Sequence, residues 1–87
     1  MLQSEFMKKV ADEKINLDKL NVVIGRTTNV PFSLGCFKED SVWKIYEVGE
    51  RQDFGIISEG SEDEIFDKMY RLIMGEIKSR NRMKKDI

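Results

Sequence analysis

Few side chains in this chain could do covalent or acid–base chemistry. It has one cysteine, Cys36, and no histidine. A cysteine nucleophile needs a base or a cationic neighbour to form the thiolate. Without histidine, proton transfer near neutral pH lacks its usual agent. Cys36 lies in the run FSLGCF, alternating with Phe32 and Leu34. That spacing reads as a small buried hydrophobe. One cysteine also excludes an internal disulfide and a multi-cysteine zinc site. The carboxylates Glu59, Glu62, Asp63 and Glu64 could attract a cation, but they follow no calcium-loop spacing. They read instead as the acidic opening of a helix, where negative charge complements the helix dipole. Gly25, Gly35, Gly49, Gly55, Gly60 and Gly75 form neither a P-loop nor a dinucleotide fingerprint. The expectation is a protein that is not an enzyme, with no cofactor and no metal.

Recognition is the chemistry that remains. Trp43, Tyr46 and Phe54 fall near Glu47, Glu50, Arg51 and Asp53. Aromatic anchors ringed by charge are the composition of a protein interface. In a strand, Trp43 and Tyr46 point to opposite faces. One is then expected in the core and the other on a contact surface. The expected partner-binding set is Trp43, Tyr46, Glu47, Glu50, Arg51 and Asp53.

Charge is unevenly spread. The 87 residues carry a formal net charge of −1. Residues 39–70 hold ten Asp/Glu and three Lys/Arg, whereas residues 71–87 hold six Lys/Arg and two Asp/Glu. An acidic middle therefore faces a basic end, which bears on steering and partners rather than on fold.

The elements that must position these groups can be read in order. Leu2, Phe6 and Val10 recur at helical spacing, and Ser4 could cap, so the first helix is expected over residues 5–15. Residues 21–26, NVVIGR, read as a strand. Residues 32–37 read as a second, with Phe32, Leu34 and Cys36 on one face. Residues 41–48 read as a third, with Val42, Tyr46 and Val48 on one face and Trp43 and Ile45 on the other. Residues 54–58 read as a fourth. Ser61 and Glu64 have capping-box spacing. They open a helix whose stripe is Ile65, Phe66, Met69, Tyr70, Ile73 and Ile77. Gly75 weakens that helix locally.

The expected fold is α+β. It has an antiparallel sheet of three or four strands, with an N-terminal and a longer C-terminal helix packed on one face. It forms a single domain over residues 1–87, with a basic tail at 78–87 that is open to fraying. The second sheet face is expected to be bare unless something binds it.

Four segments resemble a family of small bacterial immunity proteins of polymorphic toxin systems. They are FSLGCF at 32–37, WKIYE at 43–47, GER at 49–51 and SEDEIFD at 61–67. That family shows a W-x-V-Y segment, a Gly-Glu-Arg turn and a helix opened by Ser-Glu-x-Glu-Ala-Phe. This chain departs from it at Ile65, where a small residue is common, and at Gln52-Asp53 after the arginine. The resemblance covers about half the chain and implies a protein that binds and neutralises a cognate protein toxin. It assigns no contact residue.

Other readings stay open. An exposed sheet face or edge could pair in a homodimer. The order αβββα is also that of double-stranded RNA-binding domains, but those need cations at the start of the last helix, and here Ser-Glu-Asp-Glu stands there. Nucleic-acid binding is therefore not expected, except through Lys78, Arg80, Arg82, Lys84 and Lys85 of the basic tail. No run reaches membrane-span length. The start MLQSEFMKKV lacks the apolar region of a signal peptide, so a cytoplasmic protein is expected, with no membrane partner.

Overall fold

The computed structural model describes the backbone of residues 1–85 and the side chains of residues 1–80. The order is α1 (Gln3–Asp12), β1 (Val22–Ile24), β2 (Leu34–Glu39), β3 (Val42–Val48), β4 (Phe54–Gly60) and α2 (Glu62–Lys85). The four strands form one sheet in the order β1-β2-β3-β4. The fold is α+β as the pattern of residues implies.

The sheet is mixed, not purely antiparallel. β1 runs parallel to β2, with Val22 opposite Leu34 and Ile24 opposite Cys36, while β2–β3 and β3–β4 are antiparallel. Short loops favour antiparallel neighbours because a parallel return must cross the sheet. Here β1 has three residues, so residues 25–33 suffice to cross without a helix. That return corrects the expected place of Phe32. It stands outside β2 at φ 65°, 69% exposed, and its N–H donates to the Val48 carbonyl at 2.9 Å. The turn after Pro31 takes Phe32 out of the strand and leaves it at the cleft that Leu34 and Ile73 also line.

The antiparallel hairpins follow local chemistry. Asp40 and Ser41 join β2 to β3 with φ of 51° and 68°. Two consecutive residues at positive φ make the tight turn whose twist matches the strands. Between β3 and β4, the Gly49 N–H donates to the Asp53 carbonyl at 2.9 Å and Gln52 sits at φ 64°.

α1 begins two residues earlier than its sequence implies. Its flanking residue is Leu2, not Ser4, and the Glu5 carboxylate accepts the Leu2 N–H at 3.1 Å. Leucine has no oxygen to close the other half of a capping box. The Gln3 N–H is instead taken by Glu62 at 2.9 Å, which ties α1 to the start of α2. α2 opens as its residues dictate. The Ser61 hydroxyl accepts the Glu64 N–H at 3.3 Å, and the Glu64 carboxylate accepts the Ser61 N–H at 3.4 Å.

The core lies between the helices and one sheet face. Phe6 and Val10 of α1, Ile65, Phe66, Met69 and Ile73 of α2, and Val22, Cys36, Trp43 and Ile45 of the strands form one buried cluster. Tyr70 and Ile77 of the expected stripe pack at its margin. The Tyr70 hydroxyl donates to the Glu13 carboxylate at 2.7 Å, which raises its pKa above the usual tyrosine value. Of the basic tail, α2 carries the chain to Lys85, and the side chains of Arg82, Lys84 and Lys85 lie outside the described residues.

Gly75 has open space where a Cβ would stand and lies within α2. Glycine in an exposed helix costs about 1 kcal/mol relative to alanine. Gly75→Ala is therefore expected to raise stability by about 1 kcal/mol, or Tm by about 4–8 °C for a domain of this size. Thermal unfolding followed by circular dichroism measures it, and an unchanged or lower Tm contradicts the placement.

A candidate partner-binding surface at the β3–β4 hairpin

Trp43 and Tyr46 point to opposite faces, as strand alternation requires, yet neither is exposed. Trp43 is 7% exposed and Tyr46 0%. Trp43 belongs to the helix-side core and meets Phe66 edge-on at 5.0 Å between ring centroids. Tyr46 is buried on the other face. Its hydroxyl donates to the Arg26 carbonyl at 2.8 Å, so the 25–33 return lies over this side of the sheet. Burial raises the Tyr46 pKa above the usual tyrosine value. Val48, also buried, follows Tyr46 by two positions and shares that face. The second sheet face is thus partly roofed by the chain's own loop rather than bare.

The exposed aromatic of this region is Phe54. Its ring stacks on Tyr46 with centroids 4.8 Å apart and planes at 25°. Phe37 completes a triangle, 5.8 Å from Tyr46 and 6.3 Å from Phe54. Tyr46 serves as the floor on which Phe54 is held, while Phe54 remains 46% exposed. Strand alternation could have flagged it, since Phe54 lies opposite Val48 in the register.

The charged members of the set are all exposed. Glu50 and Arg51 sit at the hairpin turn, Asp53 where the chain enters β4, and Glu47 on β3. Glu47 pairs with Leu34 in the register. It lines a cleft of about 540 Å³ between the sheet end and α2, together with Phe32, Ile57, Leu72 and Arg80. The six expected residues therefore divide. Trp43 and Tyr46 hold the sheet together from its two sides, Glu50, Arg51 and Asp53 present charge at the turn beside Phe54, and Glu47 faces the helix-side cleft on the opposite face from Phe54.

β4 is the edge of the sheet beyond β3. Ile56 and Ile57 are 41% and 47% exposed. A register irregularity opposite Ile45/Tyr46 makes Ile57 the extra residue. A bulge of this kind turns a side chain out of strict alternation. Ile57 accordingly joins Ile45, Lys68, Arg71 and Leu72 around a groove on the helix side, while Ile56 stands opposite Tyr46.

The acidic run at the start of α2 is used within the fold. Glu62 accepts the Gln3 N–H, Glu64 belongs to the cap, Asp63 holds the Met1 ammonium group, and Glu59 stands 3.7 Å from Lys44. Among the described residues no three Cys, Asp or Glu side chains converge as a metal site. Cys36 is buried, and removal from water pushes its thiol up to about 11. A thiol so placed is the poor nucleophile that its apolar neighbours imply. No helix among the described residues is long and apolar enough to cross a membrane. No protein-family model, no curated protein and no solved structure matches this chain.

Proposed function

We propose that this chain is an immunity-type binding protein, which neutralises a cognate bacterial toxin by direct protein–protein contact and performs no chemistry itself. The observation that carries the reading is the surface at the β3–β4 hairpin. Phe54 is exposed there on a buried aromatic floor beside Glu50, Arg51 and Asp53 of the turn, and Glu47 adds charge on the other face of the same hairpin end. An aromatic held rigid before binding loses little entropy on contact, and surrounding charge steers the encounter. The short-motif resemblance over residues 32–72 to immunity proteins supports the same class. An acidic surface suits a basic target, because complementary charge raises association rates and can occupy a site built for phosphate.

The test is a toxin domain encoded beside this gene. The expected result is a one-to-one complex, loss of toxin activity on mixing, and rescue of growth on co-expression. The double reversal Glu47→Lys with Glu50→Lys is expected to slow association about tenfold at low ionic strength, with the difference shrinking as salt screens the charges. Stopped-flow mixing at two salt concentrations reads this. A toxin that stays active at saturating protein, or association rates untouched by the reversal, counts against the assignment.

A further inference from the structure

We propose that the free edge of β4 receives an extended segment of the protein partner as a fifth strand, apolar at its centre and carrying lysine or arginine at its ends. The inference rests on the binding role above and adds the mode of contact and the chemistry of the segment. Among the described residues β4 pairs with β3 on one side only, so its other side offers main-chain groups to an incoming strand. Native edges are usually blunted by charged or very short strands. β4 has seven residues and presents Phe54, Ile56 and Ile57 instead.

The bulge matters here because it makes this edge apolar on both faces. Phe54 and Ile56 stand on the Tyr46 side, and Ile57 joins Leu72 on the helix side. A strand laid along β4 is then flanked by apolar groups above and below, and its alternate side chains both find cover. Such a segment is itself apolar on both faces over its central residues.

Charge decides the occupant. Glu50, Asp53 and Glu59 are the carboxylates at the two ends of β4 that the start of α2 does not use, against Arg51 at one end and Lys44, 3.7 Å from Glu59, at the other. Asp53 stands at one end of the strand and Glu59 near the other, both exposed. A second copy laid antiparallel along β4 brings the Asp53 end of one strand to the Glu59 end of the other, so carboxylates meet at both ends even though the bulge sets the two side chains on opposite faces. A basic-ended segment puts opposite charges at those places. Lys68 and Arg71 border only the helix-side groove, and Lys68 donates to the Ser58 hydroxyl at 2.8 Å.

The probe is a synthetic nonapeptide of five alternating valines and isoleucines with two lysines at each end, apolar on both faces at its centre. It is compared with a version carrying glutamates at the ends and with two versions N-methylated at alternate residues, one in each register. The readout is amide chemical shift and hydrogen exchange of the full chain at low salt. The lysine-ended peptide is expected to shift the amides of residues 53–60 and slow their exchange. The glutamate-ended peptide should bind about tenfold more weakly. One of the two N-methyl registers should abolish binding, because it removes the N–H groups facing the edge. The pair Asp53→Lys and Glu59→Lys should reverse the end-charge preference.

Equal binding of both end charges, shifts confined to α1 or to the cleft near Phe32, or a concentration-dependent dimer joined through β4 overturns the proposal. The two readings fail separately. A toxin neutralised equally well by the Asp53→Lys/Glu59→Lys protein removes the edge and leaves the immunity role. Peptide binding as expected, with no toxin neutralised, leaves the edge and removes the immunity role.

Discussion

Phe66→Ala is expected to leave the chain largely unfolded at moderate temperature. Phe66 is fully buried and lies between the two aromatic contributions to the core. Its ring centroid is 5.1 Å from that of Phe6 on α1 and 5.0 Å from that of Trp43 on β3. Removing a buried phenylalanine ring costs about 3–5 kcal/mol through lost transfer energy and the cavity left behind. The two ring pairs add about 0.5–1.5 kcal/mol each. A domain of this length has roughly 4–13 kcal/mol of stability in all. Phe66 is also the residue through which α1, α2 and the sheet touch at one point, so little can collapse inward to fill the gap. Urea unfolding followed by Trp43 fluorescence measures the loss. Phe66→Leu keeps much of the volume and should cost less than half as much. A change below about 1 kcal/mol for the alanine variant contradicts this core.

Gly35→Ala is the second large effect, and its cause is the opposite one. An added Cβ would stand 2.5 Å from Cζ and from the hydroxyl of Tyr46, and 2.6 Å from the Val23 carbonyl oxygen. Gly35 faces Tyr46 across the β2–β3 register, so the tyrosine ring lies over the space that glycine leaves. Neither neighbour yields easily. Tyr46 is held by its bond to Arg26 and by the stacked Phe54. The Val23 oxygen is backbone in the parallel partner strand. Overpacking of this kind costs about 1–3 kcal/mol, and more where backbone must move. The companion variant Tyr46→Ala removes the ring but not the Val23 oxygen. The double variant should therefore be less destabilised than the sum of the two singles, without reaching Tyr46→Ala alone. Strict additivity in a denaturation cycle rejects the contact. Because the same ring floors Phe54, Gly35→Ala should also loosen the hairpin surface. Faster amide exchange at residues 53–56 would report it.

The residues announce a good deal of this molecule. The Ser61–Glu64 cap, the stripe from Ile65 to Ile73 and the two-faced alternation of β3 are local patterns, written within a few residues of each other. Local hydrogen bonds and side-chain periodicity settle them before any distant contact forms. The exposed charges Glu50, Arg51 and Asp53 were legible for the same reason, since turn residues beside a strand end have little choice but solvent, whereas Glu47 lies within β3 on the core-facing side and owes its exposure to the cleft at the sheet end.

Three features depended on parts of the chain that are distant in sequence. The parallel pairing of β1 with β2 rests on how short β1 is relative to the loop that crosses over it. The burial of Tyr46 rests on that loop returning across its face, which no alternation within β3 can reveal. The exposed aromatic is Phe54 rather than Trp43 or Tyr46 because α2 covers Trp43 and that loop covers Tyr46. Sequence pattern says which side of a strand a residue faces. Only the packing of the other elements says whether that side is water, and this chain covers both sides of β3 and leaves the edge of β4 open.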